Sequence, residues 1–183
     1  MAPGKKGGIH MIKTRSLVQV ALGAAFIAIC AWLTIPGPVP FTMQTLAVLT
    51  VAGLLGAGKG CAAVGVYLLL GAVGVPVFSG FRGGVQALVG PTGGYLIGFL
   101  FTALLVGWAV KRFPKVWQTV LFMALGVLIC YAFGTAWFGL FFANGGLGAI
   151  LATCVIPFIL PDCAKLALSV LLVRRIRKSG VLN

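Results

Sequence analysis

The chain has 183 residues, of which 61% are hydrophobic and only 8% charged, and its formal net charge is +13. Soluble domains carry about 25% charged residues, so the composition excludes an ordinary soluble protein and indicates an integral membrane protein. The positive charge is no sign of a nucleic-acid partner, because the basic residues fall in short loops and tails, where the positive-inside rule expects them.

The apolar segments are about twenty residues long, which is typical of transmembrane helices and not of barrel strands. Six spans are predicted: Leu17–Ile35, Thr42–Gly56, Cys61–Val75, Thr92–Val110, Val116–Phe142 and Leu147–Val173. The predicted fold is therefore an all-α, six-helix transmembrane bundle that forms one domain over residues 11–183. Residues 1–10 (MAPGKKGGIH) are interpreted as the remnant of an expression tag.

Positive charge alternates strongly between the connections of these spans. One side receives Lys59 and the basic groups before the first span, after the fourth and after the sixth, whereas the other side receives only Arg82. The positive-inside rule then predicts that both termini are cytoplasmic. The connections near Arg82 and Asn144 are predicted to face outward.

The first span is rich in small residues, including Ala21, Ala24, Ala25 and Ala28. Small residues at spacings of three and four allow close helix contact. The pattern fits equally well a face for a partner protein and packing inside the bundle.

Hydrogen-bonding side chains gather on the predicted outer side. Arg82, in a glycine-rich connection, offers a planar fork suited to a carboxylate, and Thr92 and Tyr95 open the fourth span with free amides. Gln44 and Thr45 lie at the outer end of the short second span. These features indicate a ligand site, although glycine-rich loops and helix caps also occur without one.

The sixth span contains Asp162, the one acidic residue of the sequence, and Lys165 three residues later on the same helical face. A carboxylate at membrane depth costs about 2.5–3.5 kcal/mol to insert and indicates a functional site. Pro157 and Pro161 are expected to free backbone carbonyls nearby. Asp162 lies twelve residues, or roughly 18 Å, before Arg174, hence in the outer half of the membrane. The alternative interpretation is a structural ion pair beside a kink.

The sequence gives little support for nucleotide hydrolysis, metal binding or acid–base catalysis. The segment from Gly53 to Gly60 nearly matches a phosphate-binding loop but lacks the hydroxyl residue and the preceding strand, so ATP hydrolysis by this chain is not expected. The cysteines have no metal-ligand spacing. With a single acid, paired-carboxylate catalysis is unavailable. We expect neither an enzyme nor a cofactor or metal.

Four motifs together resemble the BioY family, the biotin-binding S-components of energy-coupling factor (ECF) transporters. They are PVPFTMQT from Pro38, GAVGVPVF from Gly71, GPTGGYL from Gly90, and Pro161-Asp162-x-x-Lys165. The resemblance extends from about Val18 to Leu172. It implies a bacterial cell-membrane protein with an outward biotin site that docks on a transmembrane coupling protein with two ATPase subunits. It also implies that the four alanines of the first span contact that coupling protein.

Biotin has a neutral ureido ring, an apolar thiophane and a carboxylate tail. The resemblance implies that Arg82, Asp162 and Lys165 are site residues. By the chemistry of biotin, Asp162 can accept the ureido N–H groups, Lys165 can neutralise Asp162 or donate to the ureido carbonyl, and Arg82 can pair with the carboxylate. Which residue meets the ureido ring and which meets the carboxylate stays open. Phe78, Phe81 and Tyr95 bury the thiophane. A stand-alone proton-coupled or facilitative vitamin carrier, and an S-component for another vitamin, are the alternatives.

Overall fold

The computed structural model describes residues 6–37, 39–113, 115–143 and 146–180, with side chains from Thr14 onward. Its elements are α1 (Lys6–Trp32), β1 (Thr34–Ile35), β2 (Phe41–Thr42), α2 (Gln44–Ala72), α3 (Val85–Val89), α4 (Gly93–Arg112), α5 (Val116–Phe141), α6 (Leu147–Cys154) and α7 (Ile156–Lys178). The prediction of an all-helical membrane protein is confirmed. Among the described residues, five helical stretches are long and apolar enough to cross a membrane, with α6 and α7 taken as one.

Helix α2 contains a sharp reversal. Gly56 has φ +80° and ψ 176°, which is not helical and which only glycine adopts without strain. Gln44 Nε2 donates to the Tyr67 hydroxyl oxygen at 2.6 Å, whereas 23 residues of straight helix would separate them by roughly 35 Å. The two halves of α2, residues 44–55 and 57–72, therefore lie antiparallel. They match the second and third predicted spans, except that the chain turns at Gly56 and not at Gly58–Gly60.

The two halves of α2 form the centre of the bundle, where α1 and α4 pack against them and α5 packs against α4. The buried side chains are mostly small or branched, as at Ala52, Ala63, Val64 and Val106. Small residues allow the helices to approach closely, which is how helices associate in a bilayer. The ends of α4 and α5 lie within two residues of the predicted ones.

The sixth predicted span is divided into two helices. Val155 has φ −128° and ψ −56°, so α6 ends at Cys154 and α7 begins at Ile156. Pro157 consequently lies in the first turn of α7, where a missing N–H breaks no helical bond. Pro161 lies inside α7 and does remove one. The expectation that Pro157 frees a backbone carbonyl within a continuous sixth helix is therefore corrected.

The bundle has two distinct ends. The loop end holds β1, β2 and the connection from residue 73 to residue 92. The basic end holds Lys59, Lys111, Arg112 and the last turns of α7. Asn144 and residues 1–5 lie outside the described residues. The backbone of residues 6–10 is helical and continuous with α1, and their assignment to a tag stays a prediction.

Candidate functional site

Asp162 and Lys165 form an ion pair inside the bundle, one turn apart on α7. The Lys165 Nζ lies 2.6 Å from Asp162 Oδ1, and each residue is only 4% exposed. Removing water from two charges is expensive, and their attraction offsets that cost only with good geometry and further hydrogen bonds. Both residues have such bonds.

Lys165 connects α7 to the segment that precedes α2. Its ammonium group donates to the Thr42 carbonyl oxygen at 2.7 Å and lies 3.9 Å from the centroid of the Phe41 ring. A cation over an aromatic face is electrostatically favourable, more so when water is excluded. Lys165 therefore holds β2 against α7 at the loop end.

Tyr131 on α5 completes the cluster, and the sequence reasoning missed it. Its hydroxyl donates to Asp162 Oδ2 at 2.6 Å, so each carboxylate oxygen has a donor. A lone tyrosine inside an apolar span was the signal that could have indicated it. We call Tyr131, Asp162 and Lys165 the ionic wall.

A second polar cluster lies at the start of α2. The buried Gln44 donates to the hydroxyl of Tyr67, and its Oε1 accepts from the Thr42 hydroxyl at 3.0 Å. Tyr67 is fully buried and was also missed, because its partner Gln44 comes near only through the reversal of α2. Thr42 lies between this cluster and Lys165, so the two polar groups are linked.

These clusters face one cavity at the loop end. Its space measures about 580 Å³, counting the part open to solvent. The lining combines apolar and aromatic side chains with hydroxyl, amide and charged groups. It consists of Val39, Pro40, Thr42, Gln44, Thr45, Phe78, Ser79, Thr92, Tyr95, Leu96, Phe99, Cys130, Tyr131, Phe158, Asp162 and Lys165.

Seven of the nine predicted site residues line this cavity: Gln44, Thr45, Phe78, Thr92, Tyr95, Asp162 and Lys165. Phe78 is buried and packs edge-on against Tyr67, with ring centroids 5.4 Å apart. The Tyr95 hydroxyl donates to the Cys154 carbonyl oxygen at 2.8 Å. Tyr95 therefore provides a hydrogen-bond donor for a carbonyl group at the end of α6, and it presents its ring, more than its hydroxyl, to a ligand.

Phe81 and Arg82 lie outside the cavity lining. Both belong to residues 76–84, which we call the rim loop. Phe81 is 63% exposed, has φ +57° and stacks on Trp32 at 5.1 Å between ring centroids. Arg82 is exposed, and its Nε donates at 3.2 Å to the carbonyl oxygen of Ser79, which does line the cavity. Arg82 thus stands directly behind the rim.

The alanines of α1 divide into two sets. Ala24 and Ala28 are buried against the rest of the bundle, whereas Ala21 and Ala25 are exposed. The expectation that all four meet a partner is corrected, because Ala24 and Ala28 are already packed within this chain. Neighbours of Ala21 and Ala25 on the exposed face include Val18, Leu22 and Ile29.

The arrangement suits binding more than chemistry. Among the described residues no group of three or more His, Cys, Asp or Glu side chains lies close enough to hold a metal ion. The cavity offers one carboxylate, one ammonium group and hydroxyls, surrounded by apolar walls. The molecule is thus a multi-pass membrane protein with a site for a small, mostly apolar molecule that carries a few hydrogen-bonding groups.

Comparison with known proteins identifies the family. The BioY family model matches residues 5–180, so the chain belongs to the BioY family, as the four motifs predicted. It is 41% identical to "Biotin transporter BioY" of Thermotoga maritima over 91% of this chain and 98% of that protein. It is 39% identical to "Biotin transporter BioY2" of Lactococcus lactis subsp. cremoris over 84% of this chain and 85% of that protein.

A solved structure gives the same fold. The chain matches the "S-component for biotin from an ECF-type ABC transporter" with a TM-score of 0.85 and 32% sequence identity. The match covers 96% of this chain and 95% of that one.

Proposed function

We propose that this protein binds biotin at the loop-end cavity and mediates its uptake as the substrate-specific component of an ECF-type transporter. The observation that carries the proposal is the ionic wall inside an apolar cavity, in a chain of the BioY family. The relatives are transporters and not enzymes, and no covalent step is required of any residue.

The ionic wall has spare hydrogen-bonding capacity for a ureido ring. A carboxylate offers about four lone-pair sites, and Tyr131 and Lys165 use one on each oxygen of Asp162. Asp162 can therefore accept ureido N–H groups without losing either donor. Lys165 has three N–H donors, of which Asp162 and the Thr42 carbonyl take two, and the third is suited to the ureido carbonyl.

The remainder of biotin extends from the ionic wall toward the rim loop. Phe78 and the Tyr95 ring supply apolar surface for the thiophane, together with Leu96 and Phe99. The valerate carboxylate then approaches the rim, where Arg82 supplies a charge-assisted partner after a small movement. Gln44, Thr45 and Thr92 provide polar contacts beside the ring, whereas Phe81 stays stacked on Trp32 outside the cavity.

Membrane topology follows from the charge distribution. With the two halves of α2 counted as separate crossings, the chain has six, and the basic end faces the cytoplasm with both termini. The cavity then opens outward at a bacterial cell membrane. Halves of 12 and 16 residues are short for a hydrocarbon core of about 30 Å. The first half is largely buried by neighbouring helices, whereas the second half exposes Val66, Leu69 and Leu70.

The partner proposed for this chain is a transmembrane coupling protein with two ATPase subunits. Ala21 and Ala25 form an exposed small-residue surface on α1 that permits close helix contact.

The substitution Ala25→Leu tests this surface. It should impair ATP-driven uptake and leave biotin binding to the isolated chain unchanged. The matched control is Ala24→Leu at a buried position, which should lower thermal stability instead. Equal uptake by the Ala25 variant and the parent protein would contradict this surface.

Radiolabelled biotin binding to the purified full chain tests the function directly. Biotin should saturate one site, and excess lipoate or riboflavin should not displace it. Saturable binding of lipoate or riboflavin in place of biotin would assign the cavity to another vitamin. Uptake by the chain alone that depends on external pH would favour a proton-coupled carrier.

A further inference from the structure

A second lined groove lies at the basic end, opposite the cavity. It runs between the last two turns of α7 and the adjoining ends of α4 and α5. Four cations, Arg174, Arg175, Arg177 and Lys178, share its lining with apolar side chains that include Leu171. Such a combination of charged rim and apolar floor differs from an ordinary basic tail, in which every side chain is solvated.

No carboxylate side chain of the described residues neutralises the groove cations. The sequence contains one acidic residue, and Asp162 is buried in its ion pair with Lys165. Twelve residues of α7 separate Asp162 from Arg174, which is roughly 18 Å along the helix. The described residues therefore leave these charges to be balanced by other anions.

The groove is held in shape by a contact between two helices. Arg177 Nη1 donates at 3.2 Å to the carbonyl oxygen of Val110, near the end of α4. This bond satisfies a carbonyl group that the end of a helix leaves without a helical partner. It also fixes the last turns of α7 beside α4, so that the other cations project from a positioned helix.

The apolar floor continues along α7 toward the membrane centre. Leu168, Leu171, Arg175 and Lys178 follow one another at spacings of three, four and three, which places them on one helical face. Leu168 is 43% and Leu171 65% exposed. A cationic patch thus leads directly into an exposed leucine stripe at the depth where lipid head groups give way to acyl chains.

We propose that this groove binds an anionic phospholipid, with the head-group phosphate at Arg174, Arg175 and Lys178 and an acyl chain along Leu171 and Leu168. Basic pockets between transmembrane helices are suited to such head groups. The leucine stripe favours a lipid over a free phosphate ion, which would gain nothing from it. This inference goes beyond the proposed biotin function and does not depend on it.

Native mass spectrometry of the purified full chain can test the proposal with phosphatidylglycerol and with phosphatidylcholine of the same acyl chains. The parent protein should retain phosphatidylglycerol at concentrations at least tenfold lower than phosphatidylcholine. The variant R174Q/R175Q/K178Q should lose that preference. The control K111Q/R112Q/K115Q removes the same charge at the same end, outside the groove, and should keep it.

Four results would overturn the proposal. Equal retention of the two lipids by the parent protein would show no anionic site. Equal loss of preference in both triple variants would reduce the effect to general surface charge. Displacement of phosphatidylglycerol by millimolar glycerol phosphate would show a free-anion site. Where thermal unfolding shows that the groove variant does not fold, Leu171→Gln replaces it, and unchanged phosphatidylglycerol retention in that variant would also contradict the proposal.

Discussion

The cavity is enclosed by two regions built in opposite ways. The ionic wall is buried and every charged atom in it has a partner within 2.7 Å. The rim loop across from it exposes Phe81 and Arg82, and Phe81 has a backbone conformation that costs a residue with a side chain about 1–2 kcal/mol. The ionic wall is thus prepared before a ligand arrives, whereas the rim loop keeps Phe81 and Arg82 outside.

This difference suggests a division of work. Groups already fixed in place lose little entropy when a ligand binds, so a prepared wall favours affinity for the polar ring of the ligand. Because Phe81 and Arg82 of the rim loop lie outside the lining, the cavity stays open for entry. The following predictions test whether wall and rim differ in this way, beginning with the largest expected effect.

Asp162→Asn should give the largest loss. It keeps the volume but removes the charge and leaves Lys165 unpaired in a dry site, which costs about 3–5 kcal/mol, or two to three orders of magnitude in biotin affinity if it falls wholly on binding. Thermal unfolding must be measured alongside, because part of the cost falls on folding.

The double variant Asp162→Asn with Lys165→Met separates these two costs. It should recover stability, since no unpaired charge remains buried, but it should not recover affinity. Titration of the folded double variant with biotin decides the matter. Near-normal affinity would reduce the ionic wall to a structural ion pair and move the ligand elsewhere.

Tyr131→Phe should have the next largest effect. It removes one hydrogen bond to a charged group, worth about 1.5–3 kcal/mol, while Lys165 still holds Asp162. Because that bond is also made without ligand, part of the loss falls on stability, and biotin affinity should fall by at most roughly ten- to a hundredfold. Tyr95→Phe is the matched control, because its hydroxyl bonds to the Cys154 carbonyl and not to the ionic wall. Calorimetric titration of both variants compares them, and a larger loss in the control would contradict the role of Tyr131.

The sequence predicted the ionic wall only in part, for a physical reason. Asp162 and Lys165 are neighbours on one helix, so their spacing indicates contact. Tyr131 and Tyr67 meet their partners across helices, at separations of 31 and 23 residues, and no local pattern encodes such pairs. The ends of α4 and α5 were predicted within two residues, whereas α1 begins at Lys6 and not at the predicted Leu17. The break at Val155 was missed because Pro157 two residues later fits both a kink and a helix start.

The rim loop explains why two predicted site residues lie outside the cavity lining. Arg82 was assigned to the site for its planar fork and Phe81 as apolar cover for the thiophane. The bridge between Phe78 and Arg82 turns the loop back on itself, and both Phe81 and Arg82 are exposed. Glycines indicate that such a turn exists but not which side chains it directs outward.

Arg82→Ala should have a smaller effect than either change in the ionic wall. The exposed guanidinium group is screened by solvent, so its loss should cost near 1.5 kcal/mol, the lower end for a charge-assisted bond. Affinity for biotin should fall about tenfold, and affinity for the uncharged biotin amide should change little. Equal losses for the two ligands would mean that Arg82 shapes the rim loop without meeting the carboxylate.

Phe81→Ala should have the smallest effect, and its comparison with Phe78→Ala tests the boundary between rim and cavity. Phe81 stacks on Trp32 outside the lining, and an aromatic pair of this kind contributes about 0.5–1.5 kcal/mol. Because that contact is made with and without ligand, its removal should change biotin affinity less than threefold.

Phe78 is buried, touches Tyr67 and lines the cavity, so its truncation should lower both affinity and stability. Titration and thermal unfolding of the two variants provide the measurement. A loss at Phe81 that equals the loss at Phe78 would show that the rim loop closes over biotin and that Phe81 enters the site, in which case the rim is as much a part of the binding surface as the ionic wall.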